Sequence, residues 1–337
     1  MCSTESSSSA VVKIGAIEPA NPFFLAPMAG LTDWPYRCLA IEHGCALAVT
    51  EMASATALAH CGKQTLKMLY SVREIEKILC VQLFGKDPGA FALAAKVAVE
   101  HAGADIIDLN FGCPARKVIS SGHGGALLKD PQLCQRLVSA VSGAVDAPVT
   151  VKLRPGFSRQ DGPIALDLAP KLVEAGAAAI TLHPRYVTDR FGGQADWSLI
   201  EALAETVSVP VIGSGDITDP KEAVFRLKTS GVKAVMIGRA SRGRPWIFKQ
   251  CLDELRTGSH QSESLEERLR TAVRHARLLE EQIGPKAVFR LRSILIWYTL
   301  GLPGAAALRA KICREESIDN QLSLLSRTIE DMRKIEG

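Results

Sequence analysis

Short apolar runs alternate along this chain with longer stretches in which apolar positions recur at helical spacing. The runs cover residues 22–27, 46–50, 79–84, 105–110, 149–153, 178–182, 209–212 and 234–237. Each is short, rich in Val, Ile and Leu and without in–out alternation, the pattern of strands buried on both faces. Between them lie helix-length patterns such as 88–102, 131–143 and 166–176, the last two ending on Gly143 and Gly176. Eight strand-then-helix units predict a closed (β/α)₈ barrel (a TIM barrel) or a large doubly wound sheet. The barrel is preferred, because polar and Gly-rich residues follow the strands in nearly every unit, where a barrel places its active-site rim.

The strand pattern stops after about residue 258. Helical spacing continues over 265–282, breaks at Gly284-Pro285, and resumes over 286–300, 302–311 and 321–335. The expected organisation is a disordered leader (1–15), a barrel domain (16–257) and a C-terminal helical bundle (258–337).

Composition narrows the class. Of 337 residues, 47% are apolar and 23% charged, as in a soluble globular protein. The Ser-rich leader around Ser6–Ser9 has neither a basic nor an apolar segment of the secretory kind, and no apolar stretch is long enough to cross a bilayer. A cytoplasmic protein, acting as a monomer, is expected. The nine cysteines are irregularly spaced, without a CxxC pair or a His to complete a zinc site, so no metal is expected. Eight of them read as ordinary thiols of a reducing compartment. Net charge is +4, but residues 233–249 carry Lys233, Arg239, Arg242, Arg244 and Lys249 with no acidic residue. Such a run is a solvated face or a phosphate-binding surface.

The strand ends carry the candidate chemistry: Thr50-Glu51, Gln82, Asn110 with Cys113, Lys152 with Arg154, His183 with Arg185, Ser214 with Asp216, and Arg239. Singly, each has an ordinary structural explanation. Together they converge on one end of one barrel, which favours a functional site. Gly213-Ser214-Gly215-Asp216 and Gly238-Arg239 follow the last two strands, where barrel enzymes hold phosphate: glycine lets backbone N–H groups approach oxygen, and arginine adds charge. Gln82 and Lys152 suit an isoalloxazine ring, which needs donors along its pyrimidine edge and a cation near N1. A Schiff-base role for Lys152 is the weaker alternative. Cys113 lies between Gly112 and Pro114, outside any apolar run, where a thiol can act as acid or nucleophile.

These residues resemble the tRNA-dihydrouridine synthases along nearly the whole chain. The matching motifs are Ala26-Pro27-Met28-Ala29-Gly30 with Thr32-Asp33, Val81-Gln82-Leu83, Asn110-Phe111-Gly112-Cys113-Pro114 with Lys117-Val118, and Val151-Lys152-Leu153-Arg154. His183-Pro184-Arg185, Ala195-Asp196-Trp197, Met236 through Ala240 and Gly243-Arg244-Pro245-Trp246 follow. In the tail, Trp297-Tyr298 with Gly301-Leu302-Pro303-Gly304-Ala305 looks like the helical domain of the bacterial B-type branch. The resemblance implies reduction of uridine in tRNA by FMN, itself reduced by NADPH. It implies that Pro27, Met28, Ala29, Gln82, Lys152, His183, Ser214, Gly215, Asp216, Gly238 and Arg239 hold FMN. It makes Cys113 the general acid, delivering a proton to uracil C5 while hydride reaches C6. It places Asn110 and Arg154 near the target base, with Arg185, Arg242 and Arg244 as further substrate contacts.

Three positions depart from the family. Ser214 stands where Asn is usual, so one flavin contact is expected to change. Ser120-Ser121-Gly122-His123 lacks a basic residue, and Arg292-Ser293-Ile294 replaces a more basic stretch. The last two leave the choice of uridine open. Two rivals remain: a flavin barrel acting on a small molecule, which leaves the basic run and the tail without a role, and an RNA-binding protein without chemistry. Intact Gln82, Cys113, Lys152 and His183 oppose the second.

Overall fold

The computed structural model describes residues 12–336. Eight parallel strands close into a barrel: β1 (Phe23–Leu25), β2 (Leu47–Val49), β3 (Leu79–Phe84), β4 (Ile106–Phe111), β5 (Val149–Leu153), β6 (Ala177–Leu182), β7 (Val211–Ser214) and β8 (Ala234–Ile237). Each pairs with its neighbours in chain order, and β1 pairs with β8 to complete the ring. The chain is a (β/α)₈ barrel with a helical C-terminal region. One short strand, Ala53–Ser54, lies beside the end of β3 and falls in no apolar run that the pattern singles out.

Both faces of the strands are buried, but they differ in kind. Positions facing the surrounding helices, among them Val81, Leu83, Ile107, Leu109, Val151 and Leu153, are apolar throughout. Positions facing the axis are apolar only in the lower part: Phe24, Cys80, Ile106, Ala179, Ile212 and Ala234 pack there with Val12 and Ile14. Further along the strands of this wall, the alternation brings in Gln82, Asp108, Asn110, Thr150, Lys152 and His183. The barrel therefore has a closed apolar floor and a polar upper layer. Residues 1–11 of the expected leader lie outside the described residues. Val12 and Ile14 are buried, so the leader does not extend to residue 15; two apolar side chains under the barrel are worth more packed than solvated.

Three barrel helices begin alike. Asp87, Asp130 and Asp219 each accept from a backbone N–H of the first turn, with Pro88, Pro131 and Pro220 following. The proline fixes helical φ where no N–H partner is needed, and each carboxylate cap contributes about 1 kcal/mol.

The tail forms helices Leu265–Ile283, Ala287–Tyr298, Ala305–Ile312 and Ile318–Glu336 around its own apolar core. Its first helix packs on Trp34–Glu42 of the barrel. Polar ties cross the junction: Arg290 Nη2 lies 2.9 Å from Asp33 Oδ2, and Arg274 Nη2 2.8 Å from Glu42 Oε1. Gly243 has φ +63, and a Cβ there would lie 2.4 Å from Trp297 Cβ, so the tail can approach only a glycine. No helix among the described residues is long and apolar enough to cross a membrane.

Candidate active site

At the C-terminal end of the barrel a cleft of 680 Å³ opens onto a second lobe of 460 Å³, and Pro27, Met28, Lys152, His183, Phe191 and Arg239 line both. The larger part adds Gln82, Asn110, Cys113, Arg154 and Arg242; the smaller adds Ser214, Gly215, Asp216 and Gly238.

The smaller lobe is built from turns. Gly215 and Asp216 both have positive φ, 126° and 54°. A Cβ on Gly215 would lie 2.9 Å from His183 Cδ2, so the turn passes the histidine as closely as it does only because residue 215 is glycine. Among the described residues, the N–H groups of Gly215, Asp216, Gly238 and Arg239 meet no hydrogen-bond acceptor. Four free donors on two adjacent turns, with the Arg239 guanidinium beside them, make an anion cradle. The Ser214 hydroxyl donates to the Met236 carbonyl at 3.0 Å, so it braces β7 against β8. The Asp216 carboxylate accepts from Arg185 Nη2 at 2.7 Å and from Ala195 N at 2.7 Å.

The wall of the larger part comes from β3 to β6. Asn110 Nδ2 donates to Gln82 Oε1 at 2.8 Å, and Asn110 Oδ1 accepts from Cys113 N at 2.9 Å and Gly112 N at 3.2 Å. The Cys113 loop is thereby pinned to the barrel wall. Burial pushes the Cys113 thiol up from its ordinary pKa, against the opposing pull of the Ala115 amide, Arg154 and Lys152. The thiol holds its proton at neutral pH, as an acid must. Burial draws Lys152 down to about 8, with the Asp108 carboxylate resisting. Burial, helped by Lys152, Arg154, Arg185 and Arg239, keeps His183 neutral. Its Nε2 faces Arg185 Nη1 at 3.2 Å and so acts as acceptor, leaving the proton on Nδ1. Arg154 is buried with Nη1 on the Tyr186 carbonyl at 2.8 Å, while its Nη2 has no partner. A buried guanidinium nitrogen without an acceptor, on a cleft wall, fits a ligand oxygen.

Not every expected contact reaches the cleft. Arg185 is 3% exposed and consumed by Asp216 and the carbonyls of Gly192 and Gly193. Arg244 donates to Gln250 and Thr218 and lines neither lobe. The basic run of 233–249 is not one surface: Lys233 sits at the N-terminal end of β8, Lys249 pairs with Asp253 at 2.7 Å, and only Arg239 and Arg242 face the cleft. Several lining residues escaped the sequence reading. Arg116 and Arg190 add positive charge, and Met52 and Phe191 add apolar surface. Phe191, 56% exposed, has the guanidinium groups of Arg154 and Arg239 at 5.8 and 5.3 Å from its ring centre. Asp108, beneath Gln82, was hidden inside an apolar run. Where Ser120 to His123 lack a basic residue, Lys86 Nζ donates to the Ser121 carbonyl at 3.1 Å and brings a cation from another loop.

Comparison with known proteins agrees with this geometry. Residues 24–333 match the family model described as dihydrouridine synthase (Dus). The tRNA-dihydrouridine synthase B of Pseudomonas putida is 39% identical over 89% of each chain. That of Yersinia pestis is 40% identical over 85% of this chain and 89% of its own. A probable tRNA-dihydrouridine synthase of Rickettsia conorii is 38% identical over 90% of this chain and 91% of its own. Among solved structures, TcOYE with pHBA superposes with a TM-score of 0.56 at 14% identity, covering 79% of this chain and 97% of that one. Histamine dehydrogenase from Rhizobium sp. 4-9 gives 0.57 at 16% identity, covering 73% of this chain and 48% of that one. At such identities these two likenesses concern the barrel alone.

Proposed function

The chain belongs to the dihydrouridine synthase family, and from that premise we propose that it reduces uridine in tRNA to 5,6-dihydrouridine in the cytoplasm, with FMN as resident cofactor and NADPH as its reductant. The observation that carries this reading is the single cleft that joins an anion cradle, Gln82, Lys152 and His183 to a protonated thiol at Cys113. The fit to FMN is chemical. Four unengaged N–H groups and Arg239 suit one terminal phosphate, and Gln82 and Lys152 suit a pyrimidine edge.

Bound FMN supplies the hydride that uracil C6 accepts. Cys113 Sγ–H gives its proton to C5, the carbon that gains electron density as the C5=C6 bond is lost, and the thiolate left behind is reprotonated from solvent. Lys152 and Arg154, the cations that pull the thiol pKa down, stabilise that thiolate while it lasts. Arg154 Nη2 offers its free proton to an oxygen of the base or the flavin. The base leaves its stack to reach the cleft, and Phe191 at the mouth presents a face for it.

The first test is the protein's colour and its electron flow. Purified protein is expected to show flavin absorbance that NADPH bleaches and unmodified tRNA restores under anaerobic conditions. A colourless protein indifferent to added FMN ends this reading, and reoxidation by a small molecule but never by tRNA favours a small-molecule enzyme.

Two further outcomes follow from the cleft's charges. Arg239→Ala removes a charge-assisted phosphate contact of about 1.5–3 kcal/mol, so FMN retention in equilibrium dialysis should fall by about one to two orders of magnitude. Unchanged retention means that Arg239 does not touch phosphate. Affinity for tRNA should fall steeply with salt, and Arg242→Gln should flatten the slope by about one phosphate contact. Arg244→Gln, whose guanidinium is engaged within the fold, should leave the slope unchanged. Equal flattening by both contradicts this placement.

A further inference from the structure

One buried carboxylate has entered so far only as the charge that resists the fall of the Lys152 pKa. Asp108 lies on β4, 3% exposed, facing the barrel axis below the cleft. We infer that Asp108 is a positioning residue, whose Oδ2 sets the orientation of Gln82 and, through it, of Asn110, and thereby holds the Cys113 loop in place. The inference rests on the proposed function only for the roles of Gln82 and Cys113.

The ladder of hydrogen bonds is continuous. Thr150 Oγ1 donates to Asp108 Oδ1 at 2.6 Å, and Gln82 Nε2 donates to Asp108 Oδ2 at 2.6 Å. Gln82 Oε1 then accepts from Asn110 Nδ2 at 2.8 Å, and Asn110 Oδ1 accepts from the N–H groups of Cys113 and Gly112 at 2.9 and 3.2 Å. The two ends of a carboxamide have nearly the same shape, so packing alone does not decide which end points where. An ionised carboxylate can only accept, and it removes the ambiguity at the bottom rung. Gln82 must turn its NH₂ down and its oxygen across. Asn110 must then turn its NH₂ towards Gln82 and its oxygen towards the loop. The reversed order would set the Asn110 NH₂ against two backbone N–H donors, and the loop would lose both contacts.

The carboxylate is retained here at a cost, since burial pushes its pKa up to about 6 even with Thr150 and Gln82 bonded to it. A group that expensive in a barrel axis needs a task, and fixing the order of the amides above it is the task its contacts describe.

The substitution Asp108→Asn keeps the shape and breaks the rule. The Thr150 hydroxyl can donate to the new Oδ1 or accept from the new Nδ2, so either end of the amide can face Gln82 and the reversed order, closed to the carboxylate, becomes available. Thr150→Val removes an equivalent buried bond but leaves Gln82 anchored, and so serves as the control. The readout is the rate of iodoacetamide alkylation at Cys113, mapped by peptide mass spectrometry on the protein as purified. The exposed Cys61 is the internal reference. Asp108→Asn should alkylate at Cys113 about tenfold faster than wild type, and Thr150→Val within about twofold of it. Wild-type behaviour of Asp108→Asn overturns the inference, as does an equal rise in both variants, which is what general loosening produces. Should Asp108→Asn fail to accumulate folded, Asp108→Ser, which leaves room for water in the carboxylate's place, is read by the same criteria. The readout needs neither flavin nor tRNA, so a protein that binds no flavin yet shows the predicted alkylation pattern sinks the proposed function and leaves the ladder standing.

Discussion

Replacing Cys113 by alanine is expected to slow reoxidation of the reduced flavin by tRNA about 10²–10⁴-fold, the usual contribution of a general acid, while NADPH reduces the flavin at the wild-type rate. The two half-reactions separate because only the second needs a proton on carbon. Cys113 is partly buried on a loop pinned by Asn110, its thiol pushed up by burial, and it lines the cleft without filling the core. Loss of Sγ therefore removes the proton donor and little packing. A structural cysteine predicts the opposite pattern: a modest loss of stability, with both half-reactions declining together as folded protein is lost. Stopped-flow traces of each half-reaction distinguish the two.

The second large effect concerns stability. Arg37 and Glu76 form an ion pair whose side chains are both 0% exposed, with Arg37 Nε 2.7 Å from Glu76 Oε1 and Nη2 3.1 Å from Oε2. The same guanidinium donates to the Thr32 carbonyl at 3.0 Å and the Tyr70 carbonyl at 2.8 Å. It thus ties the turn after β1, which presents Met28 and Ala29 to the cleft, to the segment that leads into β3. Glu76→Ala would leave a buried, uncompensated charge, and removal of one partner of such a pair costs about 3–5 kcal/mol. Urea denaturation should show that loss in the midpoint. The double variant Arg37→Met, Glu76→Leu should recover part of it, because replacing both charges removes the desolvation cost along with the attraction, while the Thr32 and Tyr70 carbonyls still lose their donor. A Glu76→Ala protein as stable as wild type contradicts the assignment of this pair as a fully desolvated one.

The legible and illegible parts of this protein divide along physical lines. The bounds of β3, β5 and β8 coincide with their apolar runs, because strands covered on both sides need apolar residues on every outward position and end where polar residues begin. Gln82 and Lys152 stand out as polar groups at two of those ends, and Cys113 follows the end of β4. Asp108 does not: it sits one alternation below the rim, and only the closed barrel brings Gln82 and Thr150 within bonding distance of it. The Arg37–Glu76 pair is invisible for a similar reason, since its partners come from separate elements and neither position breaks a pattern. The run from Lys233 to Lys249 misled in the other direction. Closeness in sequence suggests a solvated face or a phosphate-binding surface, yet a strand and a helix carry its members to different parts of the barrel and only Arg239 and Arg242 face the cleft. Arg185 looked like a free cation at a strand end, and the positive-φ turn at Gly215 and Asp216 supplies the carboxylate that engages it.

The central claim is that the cleft converts uridine within tRNA. The most direct measurement incubates the purified protein with an unmodified tRNA transcript and NADPH, then analyses the nucleosides of a complete digest by mass spectrometry. Dihydrouridine should appear with wild-type protein and be strongly depleted with Cys113→Ala under the same conditions. A digest containing only uridine, from flavin-loaded protein that NADPH demonstrably reduces, would contradict the account.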